Sequence, residues 1–433
     1  MLSSTLAVVH LALLAGVQTD AAVGLRADTA IGSASRLLGP GGHNEPTIMA
    51  QAVPAAGIRL RNARTSVVLR YFPRLYLRYP NLADAARPLL FHYLGLSTTH
   101  LLSPRLSWLT SSTVGQGEVD YSSPFAAGSG QPIQSTTQDG TPSATAPTQS
   151  AQSSQTAATS TAQRLSVIRL RTLSASTTLS WQESQRANMF LDLFTSGTAA
   201  LPGGFPLPNG TVWIVGGDMT QDFLLSPQDG AGFTLSYQRG HLAKAPDFDN
   251  ASATLNWSRK YSAIAQLGLY AGFGVMRSYG RPLTGWPVAW ATWQAEGVTE
   301  RGFRRSAMLS SGVRTFVNTL VGTAAPMAFA QGSMTYDLEY RWWFDAGIGY
   351  QMPISNGTAA ANAQLILSSG NWQLAFHRRI DRHIAIDFGL RGYLFADSPM
   401  VSNPHILGTQ SWAFVGFTWS EGTANDDNGS WVL

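Results

Sequence analysis

The densest grouping of side chains able to do chemistry is His377, Arg378, Arg379, Asp381, Arg382 and His383. Two imidazoles and a carboxylate in so short a run suggest a metal site or a general base. No third ligand or nucleophile adjoins them, and a tight turn is expected at Ile380, so the reading here is a solvated, charged turn. The other histidines offer less: His10 and His43 precede the main body of the chain, His241 and His405 fall in loops, and His92 and His100 stand alone. No Gly-x-Ser-x-Gly elbow leads into a helix, and the GSG at Gly128 lies in low-complexity sequence. GLYAGFG, from Gly268 to Gly274, has the two-residue period of a strand and is not a phosphate loop. With no cysteine there is neither a disulfide framework nor a thiolate metal site. The expectation is a protein without catalytic residues, cofactor or metal.

A second set of polar groups is spread along the chain at alternate positions. It comprises Arg70, Arg74, Tyr76 and Arg78; Asn256, Lys260, Gln266 and Tyr270; Asp337, Glu339, Arg341 and Trp343; and Gln373, His377, Asp387 and Arg391. Lined along a water-filled passage, arginines and carboxylates set up a transverse field, while aromatic and amide groups stack on or hydrogen-bond to a solute without holding it. The plainer reading of any one of them is an ordinary solvated residue balancing a neighbour's charge.

Such groups need elements that present every second residue to one face. Met334 to Tyr350, MTYDLEYRWWFDAGIGY, does this: the even positions are apolar or aromatic, and the odd ones include Thr335, Asp337, Glu339, Arg341 and Asp345. A two-residue period means β structure with one apolar and one polar face. The run exceeds one ordinary strand and is expected to fold back near Trp342. A hairpin keeps the same parity on the same face only when its turn has an odd number of residues. The same pattern recurs around Pro73, Pro104, Arg259 and Ile380, with turn sequences FPRLYL, SPRLSW, SRKYSA and IDRHIA. The chain therefore repeats one hairpin whose turn carries Arg or Lys.

Only 12% of the 433 residues are charged, whereas Gly (42) and aromatics (10%) are abundant. Low charge without a long apolar run after the N-terminus excludes a helical membrane protein and suits a barrel with lipid outside and water inside. A net charge of +4 gives no support to a nucleic-acid partner. In chain order, residues 1–22, with an apolar core from Leu6 to Val17, read as a secretory signal peptide, although Lys and Arg are missing before the core. Residues 23–55 lack a sustained period and read as a flexible periplasmic leader. Residues 56–419 read as the barrel, interrupted by a Ser/Thr/Ala/Gln-rich disordered loop at 127–163; 420–433 form a polar tail. Tight turns are expected at Pro73, Pro104, Arg259, Trp342 and Ile380 and near Gln185, Gln228 and Gly302. Eight such turns imply about eighteen antiparallel strands, with sixteen as the alternative, joined by short periplasmic turns and long extracellular loops.

The segment QSWAFVGFTW, Gln410 to Trp419, resembles the closing strand of bacterial outer-membrane barrels, in which the final aromatic residues and an internal Gly are read by the barrel-assembly machinery. That resemblance implies an assembly signal in Gly416, Phe417 and Trp419, here followed by extra polar sequence. The front of the barrel, RLRNARTSVVLRYFPRLYLRYP, resembles the porin-like barrels of exopolysaccharide-export systems. It implies a polysaccharide solute and a periplasmic export complex as partner. The sequence thus points to an outer-membrane channel, with an adhesive surface barrel, a barrel hydrolase and a secreted soluble β protein as the competing readings.

Overall fold

In the computed structural model the described residues are 17–35, 44–79, 88–120, 167–202, 210–280, 282–298, 303–318, 323–339, 341–354, 368–396 and 406–422. They form strands β1 (Gln18–Ser35), β2 (Asn44–Arg61), β3 (Thr65–Tyr71), β4 (Arg74–Tyr79), β5 (Leu89–Ser103), β6 (Leu106–Asp120), β7 (Val167–Ser184), β8 (Ala187–Ala200), β9 (Val212–Leu224) and β10 (Asp229–Leu242). The ring continues through β11 (Phe248–Lys260), β12 (Ala265–Ser278), β13 (Thr284–Val298), β14 (Arg304–Asn318), β15 (Thr323–Glu339), β16 (Trp342–Pro353), β17 (Ser368–Arg379), β18 (Ile384–Ala396) and β19 (Ile406–Gly422). Successive strands pair antiparallel, and β19 pairs back onto β1, so the sheet closes without an edge.

β3 and β4 are two pieces of one crossing. Ala56 of β2 faces Tyr71 and Ala52 faces Leu75, while on the other side Leu94 of β5 faces Tyr71 and Phe91 faces Arg74, so the register runs through without a slip. The ladder is interrupted only where Pro73 has no N–H to donate. The barrel is therefore eighteen-stranded, as the sequence predicts, but the expected hairpin at Pro73 is corrected to a single crossing in one register, broken briefly at the proline. The turn belongs at Asn62–Arg64 instead, where the Asn62 carboxamide oxygen accepts the N–H groups of Arg64 (2.9 Å) and Thr65 (2.7 Å).

The same device recurs at Ser103, Ser184, Ser226, Ser262 and Asp381, each of whose side-chain oxygens accepts a backbone N–H two residues on. That is the physical basis of the repeated turn. The turn expected at Arg259 lies slightly later, after Lys260, and the one at Trp342 slightly earlier, at Arg341.

The flexible leader is corrected as well. Residues 23–55 lie largely in β1 and β2, which pair along their whole length, and Gln18 to Ala22 of the expected signal peptide begin β1. Residues 1–16, the loop at 127–163 and the tail beyond Gly422 lie outside the described residues.

Parity carried from strand to strand through the register returns unchanged to β1, which fixes two faces. The outer face bears Leu255, Leu269, Phe273, Leu390 and Val415, all well exposed. Near the tight turns it carries Trp108, Trp181, Trp257, Trp293, Trp342 and Trp419, and toward the long loops Trp213, Tyr237, Tyr350 and Trp372. An apolar belt between two aromatic girdles, on an even-stranded closed barrel with both end strands meeting at the turn side, is the architecture of the bacterial outer membrane. The chain is a transmembrane barrel of that membrane, with its tight turns periplasmic.

Candidate functional site: the charged arc of the lumen

Strand pairing sets the inward side chains in rows. One row runs through Trp343 (β16), His377 (β17), Asp387 (β18), Gly416 (β19), Asp28 (β1), Gln51 (β2) and Tyr76 (β4). Barrel strands tilt by about 35–45°, so a row at right angles to them climbs obliquely, from the turn end at Trp343 toward the loop end at Tyr76.

Its charges are engaged with one another. His377 Nδ1 lies 2.6 Å from Asp387 Oδ1. Nε2 lies 2.9 Å from Asp345 Oδ2 on its other side. The imidazole lies flat on the Trp343 ring, with centroids 5.0 Å apart and planes 7° from parallel. Beyond Asp387, Arg26 Nη2 stands 3.9 Å from its Oδ2, and Arg26 Nε donates to Asp28 Oδ2 at 2.9 Å. Gln51 Nε2 donates to the same carboxylate at 3.3 Å, and Thr335 Oγ1 donates to Asp345 at 2.6 Å. Asp28 and Asp387 are both buried, a position in which a carboxylate is tolerated only with its charge compensated.

Gly416 makes this line continuous. It sits between the two carboxylates across both of its ladders, and a Cβ there would stand 2.5 Å from Asp28 Oδ1. A side chain there would force the Asp28 carboxylate to shift against Arg26.

Arginines extend the arc. Arg70, Arg74 and Arg78 occupy every fourth position on the inner face of β3 and β4, and the Arg74 guanidinium lies 5.1 Å from the Tyr93 ring centroid. Arg391 stacks in the same way over Phe414 at 5.1 Å. At the turn end, Asp20 holds Arg59 (3.0 Å) and Arg61 (3.4 Å).

The wall formed by β8–β13 is different. Toward the loops its inner face is an apolar cluster of Val212, Ile214, Leu242, Phe248, Met276, Trp286 and Val288, with Phe194 and Trp290 against it. Tyr270 stacks on Trp290 with centroids 4.6 Å apart. Nearer the turns the lining is polar, with Asn256 donating to Asp222 (3.2 Å) and Thr178 to Asp192 (3.0 Å). Among the described residues, no group of three His, Cys, Asp or Glu is placed to hold a metal ion.

Register and parity place Arg70, Arg74, Tyr76, Arg78, Tyr270, Asp337, Trp343, His377, Asp387 and Arg391 on the inner face. The solvated-turn reading of His377 is corrected: it belongs to β17, and only Asp381, Arg382 and His383 occupy the turn. Arg341 is likewise not in the lumen; it sits in the preceding turn and donates to the Ile380 carbonyl at 2.9 Å. Lys260 ends β11 at the turn rim, and Glu339 falls at a register shift opposite Trp342. Of the closing-strand residues, Gly416 faces the lumen, whereas Phe417 and Trp419 face lipid. Sequence reasoning missed Arg26, Asp28 and Gln51, because it placed them in a leader. The spacing of Arg26 and Asp28, two apart and thus on one face of a strand, was the available signal.

No protein-family model matches the chain, and no curated protein matches its sequence. Among solved structures it is similar to the copper transporter OprC (11% identity, 94% of this chain and 81% of that one, TM-score 0.44). It is also similar to OccAB4 of Acinetobacter baumannii (8% identity, 94% and 99%, TM-score 0.43) and to the outer membrane protein opdK of Pseudomonas aeruginosa (9% identity, 93% and 99%, TM-score 0.44). The barrel assignment stands on the register and the outer belt described above.

Proposed function

We propose that this barrel is a passive, selective channel for a small polar or charged solute. The observation that carries the reading is the oblique line of mutually compensated groups from Asp345 through His377, Asp387 and Arg26 to Asp28, in which two carboxylates are buried and their partners stay partly open to the lumen. Charges inside a membrane protein are costly and, by default, functional. Here they give a crossing solute a sequence of alternating partners. A solute anion would pass along the arginines of β3, β4 and β18, and its cationic or hydroxyl groups would meet the carboxylates and amides, each step too weak to trap it. No bond is made or broken, and transport follows the gradient.

An exopolysaccharide solute draws its support from sequence resemblance only, and the lining favours something smaller. Inward residues far apart around the ring, Phe91, Leu170, Ile214 and Trp412, are each at most 1% exposed. In the same reading, Phe417 and Trp419 on the lipid face serve the barrel-assembly machinery during insertion.

Flux into proteoliposomes tests this. A small charged solute such as an amino acid should equilibrate, while a dextran should be excluded. Dextran entering at a comparable rate would return the polymer reading, and exclusion of both would remove the channel reading.

A further inference from the structure

The outer face of β10–β12 changes character within one residue pair near the loops. Up to Tyr237 and Val275 it is apolar; the next positions of the same parity are Arg239 and Arg277, both exposed. Asp249 of β11 pairs with both, giving an Arg–Asp–Arg row on the lipid-facing side. Side chains placed there, directly above an apolar belt, meet lipid headgroups and not the lumen.

The two guanidinium groups share one aromatic partner. Both lie over the ring of Tyr279, with distances to its centroid of 5.6 Å for Arg239 and 5.8 Å for Arg277. Tyr279 is itself fixed, because its N–H donates to the Asp247 carbonyl at 3.0 Å. The nearby carboxylates have other partners: Asp249 accepts from the Tyr237 hydroxyl at 2.7 Å, and Asp247 sits 2.9 Å from His241 Nδ1 while accepting from Leu242 N–H. Asp247 is 3.9 Å from Arg239, and Asp249 lies across the ladder from both arginines. The row itself keeps one positive charge in excess.

We propose that Arg239, Arg277 and Tyr279 form a docking site for the phosphate of a phosphorylated lipid in the outer leaflet. Guanidinium groups take phosphate oxygens through paired N–H donors. A phenol ring beneath them holds the cations in place, and the acyl chains would lie along Leu235, Leu255 and Phe273, all exposed on the same face. Charge complementarity and continuity with the lipid belt together specify this occupant. The site lies outside the barrel, so it does not depend on what the lumen carries.

The test titrates the detergent-solubilised full chain with bisphosphorylated lipid A and with the same lipid stripped of phosphate. Bound lipid is read by native mass spectrometry. The wild type should prefer the phosphorylated form, and R239Q/R277Q should lose roughly tenfold or more of that preference. R277K, which keeps the charge, should retain most of it. R171Q is the control, since Arg171 lies on the outer face of β7 near the loops and engages Gln116; it should change little. A wild type indifferent to phosphate, or an R171Q loss equal to that of the double variant, would overturn the proposal.

Discussion

Two walls of one lumen differ in how much charge they carry. From β16 through β19 to β4 the inner face sets carboxylates, arginines and an imidazole that compensate one another beside a buried cluster of Ala30, Met49, Tyr76, Ala375, Trp412 and Phe414; from β9 to β13 its loop half buries Val, Ile, Phe, Met and Trp with no such charges among them. The apolar wall is the stable solution, since burying such side chains is favourable by about 25 cal/mol per Å². The charged wall obtains no comparable gain, because desolvation offsets most of the Coulomb attraction of a buried pair. A barrel that needed only stability would use apolar residues throughout. On the proposed reading, the charged arc is kept for selectivity at a cost in stability.

The first variants separate these roles. D387N removes the carboxylate shared by His377 and Arg26, and should cost about 3 kcal/mol in urea unfolding from lipid vesicles while altering ion selectivity. F248A on the other wall should cost a similar amount, about 3 kcal/mol, through a cavity, yet leave selectivity unchanged. Equal selectivity changes in both would erase the distinction between the walls. G416A should follow, at about 1–3 kcal/mol, because the new methyl displaces Asp28. Its selectivity should shift in the same direction as that of D28N, and assembly should proceed normally. An assembly failure without any selectivity change would put Gly416 back in the closing-strand signal. The smallest effect is expected from P73A, which restores one N–H to the β3–β4 crossing and should move stability by less than about 1 kcal/mol. A larger loss would mean that the interruption at Pro73 matters to the fold.

Much of the barrel is legible in the sequence wherever the two faces differ sharply. On β12, Leu267, Leu269, Phe273 and Val275 alternate with Gly268, Tyr270 and Gly274, and the strand is read directly. β1 and β2 escape because their faces are too alike: the outward Ala27, Thr29, Ala50 and Ala52 contrast little with the inward Ala22, Ala30, Met49 and Val53, and Pro46 and Pro54 imitate a loop. Pro73 misleads in the opposite way, since proline inside a strand usually signals a turn. The inward positions on β3, β4 and β16–β18 were recoverable by parity, those on β1 and β2 were not, and the partnerships were legible on neither. Asp28 and Asp387 are neighbours only because closure brings β1 against β19, and no local pattern encodes which strands meet at the seam.

The most direct test is the reversal potential of single channels in planar bilayers under a salt gradient, for the wild type and D387N. The account requires steady conductance in both, with the reversal potential of the variant displaced toward anion preference. Silence in the wild type, or identical reversal potentials in the two proteins, would contradict it.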